Sequence, residues 1–479
     1  MEQKSRLKGF LTIGFGTIIN IIISVITTPI ITRIVDTKEY GQLSMFTTYS
    51  SIAVMVLCLG LDQSLIRYYY DLDSADYKSS LIRFVYKVSI AISIVLVFFS
   101  GCIFIFAKKY INIDIVTISL LIVFILIQIT SRFSMIVLRV EYKSKLYAVL
   151  NIIHKAIYLV FAFCIYLVSR KEVSIIWLYI ATIISSLIPT IASVIKEDEL
   201  WLNNKKVNID KRGIIRYGLP FILSMGITTL FEALDRISIN YFCDYSEVGI
   251  YASAMSIIGI FAIIQTTFNT LWAPTSIEQY TKEPQNYNFF RTVNDVIVVL
   301  MFLFGITLVL FKDIIILMLG EKYRGASSIL PFLVFHPIMY TISETTVVGV
   351  DFSKKSHMHV YTAIAACVVN GIGNYILVPI FGGQGAAIST GISYIAFFAF
   401  RTLFGLKNYN YKPHILRITL ITVICLLFCY FESFSFPLYI CIGTYFIELL
   451  LIIFMYKKTL QLIYSKGITI LKSFIGRKR

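Results

Sequence analysis

The sequence predicts an all-α polytopic membrane protein that crosses a bilayer about fourteen times. Three observations predict it. The 479-residue chain is 57% hydrophobic and only 15% charged, with a mean hydropathy of +0.79, which is too little charge to cover a soluble domain of this size. Apolar runs of roughly 20 residues recur from end to end, long enough for a hydrocarbon core about 30 Å thick. The runs are continuous, whereas barrel strands would be short and alternating, so helices must satisfy the backbone.

The first half contains predicted spans at 10–32, 42–61, 88–107, 115–138, 146–168 and 173–195. The second contains 214–242, 248–272, 293–311, 326–350, 360–380 and 385–404, and a final pair follows at 416–431 and 438–455. The first span has a short basic start and no small-residue cleavage site, as expected of a retained helix. The longest polar break, KEDELWLNNKKVNIDKRGIIR, separates spans six and seven. The expected organisation is therefore an N-lobe (1–195), a cytoplasmic linker (196–213), a C-lobe (214–404), and a last helix pair with a basic tail (405–479). The halves echo each other: Glu39-Tyr40-Gly41 opens the second span and Glu247-Val248-Gly249 the eighth. Two six-helix halves of like topology suggest parallel repeats, a common transporter plan.

The net charge of +16 invites a nucleic-acid partner, but the basic residues sit in short loops and tails, where they orient the chain and meet anionic lipid. With a cytoplasmic N-terminus, about 31 Lys and Arg fall inside and about 9 outside. Three remain within spans: Arg132, Lys155 and Arg236. This bias places both termini in the cytoplasm. The eight cysteines fall in or beside apolar runs without metal spacing or a disulfide framework, so no metal site is expected.

Ionisable groups inside a span are costly and face a watery cavity or a partner. Span seven is richest. Thr228, Thr229, Glu232, Asp235, Arg236 and Asn240 share one helical face, and Glu232 and Arg236 have ion-pair spacing. This face reads either as a neutralised cluster pinning helices or as a cavity wall with a guanidinium for an anionic substrate. Span one carries Asn20, Ser24, Thr27, Thr28 and Thr32, with Pro29 as a kink and Arg33 at its outer end. That stripe suits cavity lining or helix–helix contact. His336, Tyr340 and Glu344 lie one turn apart in span ten, a spacing that proton relays use. Arg132 in span four, and Asn151, His154 and Lys155 in span five, lie towards the cytoplasmic side. Arg67, after span two, suits a membrane-edge anchor. Asn370 with Asn374, and Gln265 with Asn269, suit interhelical hydrogen bonds.

No catalytic residue is expected. Asp71-Leu72-Asp73 matches the acidic pattern of metal-dependent glycosyltransferases but lies in a short loop with no soluble domain around it. No GxSxG, HExxH or phosphate-cradling glycine loop occurs.

Several segments resemble the polysaccharide flippases (Wzx type, O-antigen and teichoic-acid exporters) of the multidrug/oligosaccharidyl-lipid/polysaccharide superfamily. They are TPIITRIVDTKEYGQLSMFTTYSS (28–51), LGLDQSLIRYY (59–69), YGLPFILSMGITTLFEALDRISINYF (217–242), EVGIYASAMSI (247–257), MLGEKYRGASSILPFLVF (318–335) and NGIGNYILVPIFGGQGAAIST (370–390). The similarity runs in order over about 10–404. The resemblance implies two six-helix lobes in a MATE-like V around a cavity open to one side at a time, with two helices appended. It also implies an undecaprenyl-diphosphate-linked oligosaccharide as substrate, flipped across the bacterial cytoplasmic membrane, with polymerase and chain-length proteins as pathway partners.

Arginine suits a diphosphate through forked hydrogen bonds. Arg236, with Arg33, Arg67, Arg132 or Lys155, is the expected cationic lining. Glu232, Asp235 and Glu344 are the candidates for coupling to H⁺ or Na⁺, and no other cofactor is expected. Asn20, Ser24, Thr28, Thr228 and Asn240 would complete the polar wall. The alternatives are an ion-coupled multidrug exporter of the same fold and a membrane polysaccharide polymerase. The exporter commonly has a carboxylate in the first helix, and none lies between Gly9 and Thr32. The polymerase usually carries a large outer loop, and the outer loops here are short.

Overall fold

The computed structural model describes residues 19, 22–107, 114–169, 174–203 and 207–465. Every regular element among them is a helix. A short apolar helix α1 (Ile22–Ile34) leads into α2 (Thr37–Leu57), α3 (Leu61–Tyr68), α4 (Ala75–Ala107), α5 (Ile115–Val140), α6 (Ser144–Ser169), α7 (Ile175–Lys196) and α8 (Asp198–Leu202). Then come α9 (Lys211–Phe242), α10 (Tyr245–Ile258), α11 (Phe261–Lys282), α12 (Tyr287–Leu310), α13 (Lys312–Ile316), α14 (Ala326–Leu333), α15 (Phe335–Thr346) and α16 (Val348–Phe352). The chain continues with α17 (His357–Asn408), α18 (Ile415–Ser433) and α19 (Leu438–Met455).

Among the described residues, nine helices are long and apolar enough to cross a membrane, or up to eleven if the bent pairs α2–α3 and α10–α11 each count as one span. The chain is thus a multi-pass helical membrane protein. Its predicted first span falls partly outside the described residues.

Local chemistry explains where the helices start and bend. Asp36 caps α2, accepting from Thr37 N at 2.7 Å, and Asp244 caps α10, accepting from Glu247 N at 2.9 Å. Each cap has a glutamate three residues on, so both sequence echoes are helix-start signals. The 54° bend between α2 and α3 is made by Leu59 and Gly60, both at positive φ. A Cβ on Gly60 would stand 2.2 Å from the Gly218 carbonyl oxygen, so only glycine permits this approach.

The helix α17 is two helices joined at Gly382 (φ 56°, ψ −134°), between the predicted spans 360–380 and 385–404. The two arms are tied by buried amides and hydroxyls. Asn374 donates to Asn370 Oδ1 at 3.1 Å, Asn370 donates to Thr390 Oγ1 at 3.3 Å, and Ser389 donates to the Asn370 carbonyl at 2.8 Å.

The chain divides by its internal contacts into two compact units, Met1–Ile237 and Ser238–Arg479, with the division inside α9. The first unit packs Leu61, Leu65, Leu81, Phe133 and Val137 into one core cluster and Phe46, Phe124, Leu178 and Tyr179 into another. The polar break after α7 is anchored to α4: Asn203 donates to Asp76 Oδ1 at 2.7 Å, and Val207 N donates to Ser80 Oγ at 3.1 Å. In the second unit, Trp272, Phe290, Tyr409 and Tyr411 form an aromatic core.

Candidate functional site

The candidate site is the set of ionisable and polar side chains carried by the apolar helices. In the first unit, Arg132 on α5 is committed to Asp62 on α3. Its Nε and Nη2 donate to one carboxylate oxygen at 3.0 and 2.6 Å, and Asp62 is only 1% exposed. Arg67 is exposed and pairs with Asp71 at 2.9 Å, one turn on. Two of the five predicted cations therefore already have carboxylate partners.

The other three differ. Arg236 on α9 donates from Nη1 to Thr48 Oγ1 at 3.0 Å. Lys155 is half-buried on α6 beside His154, whose Nε2 lies 3.2 Å from Ser186 Oγ. Arg33 is exposed just before the end of α1. Neither Lys155 nor Arg33 has an ion pair among the described residues. On the α9 face, Asp235 is buried, Glu232 and Thr228 are exposed and Asn240 is half-buried. In α1, Thr27 and Thr28 donate to the carbonyls of Ile23 and Ser24 at 2.6 and 3.1 Å. These hydroxyls are thus bonded within their own helix. Asn20 lies outside the described residues.

In the second unit, Glu344 accepts from Arg401 Nη1 at 2.7 Å, and the same nitrogen reaches Ser343 Oγ at 2.8 Å. The guanidinium also lies over the rings of Tyr340 and Phe397. Glu344 is thus held by a cation, while His336, two turns earlier, packs against Tyr394. Lys312 bridges Asp313 and Glu432, each at 3.1 Å. Asp295 lies 3.1 Å from His414 Nδ1.

Four groups here were missed from sequence: Asp62, Arg401, Asp295 and Glu448. Arg401 lies inside the apolar stretch 385–404, one turn from its C-terminal end, where a basic residue reads as part of the following cytoplasmic loop. Glu448, alone in the apolar run of α19, carried the clearest overlooked signal. Asp62 and Asp295 had none, because their partners lie 70 and 119 residues away.

Paired ions act as nearly neutral dipoles in a low-dielectric interior, whereas an unpaired cation attracts an anion. The arrangement therefore separates cations with a carboxylate partner, Arg132 and Arg67, from Arg33 and Lys155, which have none among the described residues.

Among solved structures, the fold is that of a lipid II flippase, MurJ, in an inward closed conformation. The alignment has a TM-score of 0.67 at 16% identity and covers 96% of this chain and 100% of that one. Inward- and outward-facing structures of a multidrug resistance MATE family transporter of the MOP superfamily align with TM-scores of 0.54 and 0.52. Their identities are 15% and 14%, over 86% of this chain and 98% and 96% of theirs. No curated protein sequence matches the chain. Residues 6–279, more than half of it, match the family described as polysaccharide biosynthesis protein, and the chain belongs to that family.

Proposed function

We propose that this protein is a flippase for undecaprenyl-diphosphate-linked oligosaccharide, such as O-antigen or capsule repeat units. It works in the bacterial cytoplasmic membrane by alternating access, with both termini in the cytoplasm and transport coupled to H⁺ or Na⁺. The observation that carries the reading is Arg236. A chain of a polysaccharide biosynthesis family keeps this guanidinium within an apolar helix, hydrogen-bonded to the hydroxyl of Thr48.

A glycan and a diphosphate cannot enter hydrocarbon unaided, and a cation on a polar wall offsets the phosphate charge while the lipid tail stays in the bilayer. Lys155 and Arg33 would extend that field, and Glu232 or Asp235 would carry the coupling ion. Polymerase and chain-length proteins of the same pathway would receive the product. The fold shared with a protein named as a lipid II flippase supports the substrate class.

The test is translocation in proteoliposomes. A fluorescent undecaprenyl-diphosphate oligosaccharide should become accessible to an impermeant quencher from both leaflets, and faster than in protein-free vesicles. Equal rates with and without protein, together with cation-gradient-driven efflux of cationic drugs, would establish the multidrug-exporter alternative instead.

A further inference from the structure

We propose that Glu448 is a proton-binding site in the last helix pair, loaded while α18 and α19 are packed together and emptied only when they part. Glu448 lies in the middle of α19 and is 0% exposed. Among the described residues, neither carboxylate oxygen accepts a hydrogen bond of ordinary geometry, and the one side chain placed to donate to it is the Cys425 thiol. The groups facing it are the thiols of Cys425 and Cys429, one turn apart on α18 and themselves fully buried. A thiol is a weak donor and no substitute for a cation.

Among the described residues no cation compensates it, and Arg417, in the first turn of α18, donates instead to the Met455 carbonyl. Glu432 on α18 is held by Lys312, and on α12, which also packs against this pair, Asp295 is engaged by His414 and Arg291 by backbone carbonyls. On α14, packed against α18, there is no ionisable side chain.

An ionised carboxylate in such a site loses its solvation without regaining it from a partner, at a large energetic cost. The neutral acid avoids most of that cost. Losing the proton leaves one negative charge in an apolar seam, so deprotonation requires water to enter between α18 and α19. The ionisation step and the separation of the two helices are therefore one event. The predicted coupling carboxylates lie elsewhere, and one of them, Glu344, already has Arg401 as partner.

Two measurements on the full-length protein in lipid test this. Infrared difference spectroscopy at neutral pH should detect the C=O stretch of a protonated carboxyl in the wild type and its loss in Glu448→Gln. The uncharged amide is nearly isosteric with the acid and should leave the fold intact. If it does not, Glu448→Asp should shift the band rather than abolish it. The second measurement is the pH-gradient response of flipping in proteoliposomes, and this arm alone rests on the flippase reading. Wild type and Glu448→Asp should respond to an imposed gradient, and Glu448→Gln should flip at a rate independent of it. A wild-type spectrum lacking any band sensitive to Glu448, or a Glu448→Gln variant with the full gradient response, overturns the proposal. If wild-type protein flips no glycan, the flippase reading fails, while the infrared band still decides the proton site.

Discussion

Asp62 and Arg132 form a fork in which Nε and Nη2 of the arginine both donate to one oxygen of a buried carboxylate, at 3.0 and 2.6 Å. The pair joins α3, just past the Gly60 bend, to the middle of α5. A guanidinium committed in this way stabilises the fold and has little field left for a ligand.

Asp62→Asn should lower stability by about 2 kcal/mol, the usual scale for hydrogen bonds to a charged group. The Arg132 side chain is about a third exposed (32%), which moderates the loss through solvation of the freed cation. Asp62→Asn/Arg132→Gln should recover part of it. Thermal unfolding in detergent would measure both, and additive losses in the double variant would argue that the two side chains act independently.

The Glu344–Arg401 pair makes a matching prediction for the second unit. Glu344→Gln should destabilise by about 2 kcal/mol. Arg401→Lys should cost more than charge alone explains, because lysine reproduces neither the bond to Ser343 nor the stacking on Tyr340 and Phe397. Should Glu344→Gln instead leave stability unchanged and abolish ion-dependent transport, Glu344 would be a coupling residue and not a clamp.

Gly60→Ala should be severely destabilising, by more than about 2 kcal/mol, since it combines a positive φ with a backbone collision. Gly443→Ala is the control, because a Cβ there meets nothing within 4 Å. Expression level and melting temperature of the two variants should differ widely. Similar values would mean that the α2–α3 bend relaxes freely.

For transport, Arg236→Ala and Arg236→Lys should both reduce flipping, the lysine variant less, because it keeps the charge but not the forked donor geometry. Lys155→Gln should weaken the apparent affinity for the lipid-linked substrate without lowering stability. Thr48→Val should produce a smaller effect in the same direction as Arg236→Ala, by releasing the guanidinium from its hydroxyl. Wild-type rates in all four variants, at equal protein levels in the membrane, would remove these residues from the substrate path.

Much of the architecture was legible in the chain. Helix type followed from runs too apolar for a soluble surface. The repeated Glu39-Tyr40-Gly41 and Glu247-Val248-Gly249 marked the openings of α2 and α10, although the helices start earlier than the apolar runs at 42 and 248, at Thr37 and Tyr245. The break inside α17 fell where 381–384 interrupts two apolar stretches. These features depend on neighbours within a few residues, so the local sequence carries them. The bent pairs were less legible: the span predicted over 42–61 carried no sign of the 54° turn that the chain makes after Leu57. That turn depends on how closely α9 approaches Gly60.

The residues alone therefore determined that this protein lives in a bilayer, that it is helical, and that it carries costly charge inside its helices. Tertiary structure alone decided which of those charges are occupied. Arg132 and Lys155 look alike in sequence, yet Arg132 meets a carboxylate 70 residues away, and Lys155 meets none among the described residues. The physical reason is range: backbone hydrogen bonding and hydrophobic length act along the chain, whereas neutralising a buried ion takes a partner brought within about 3 Å by packing.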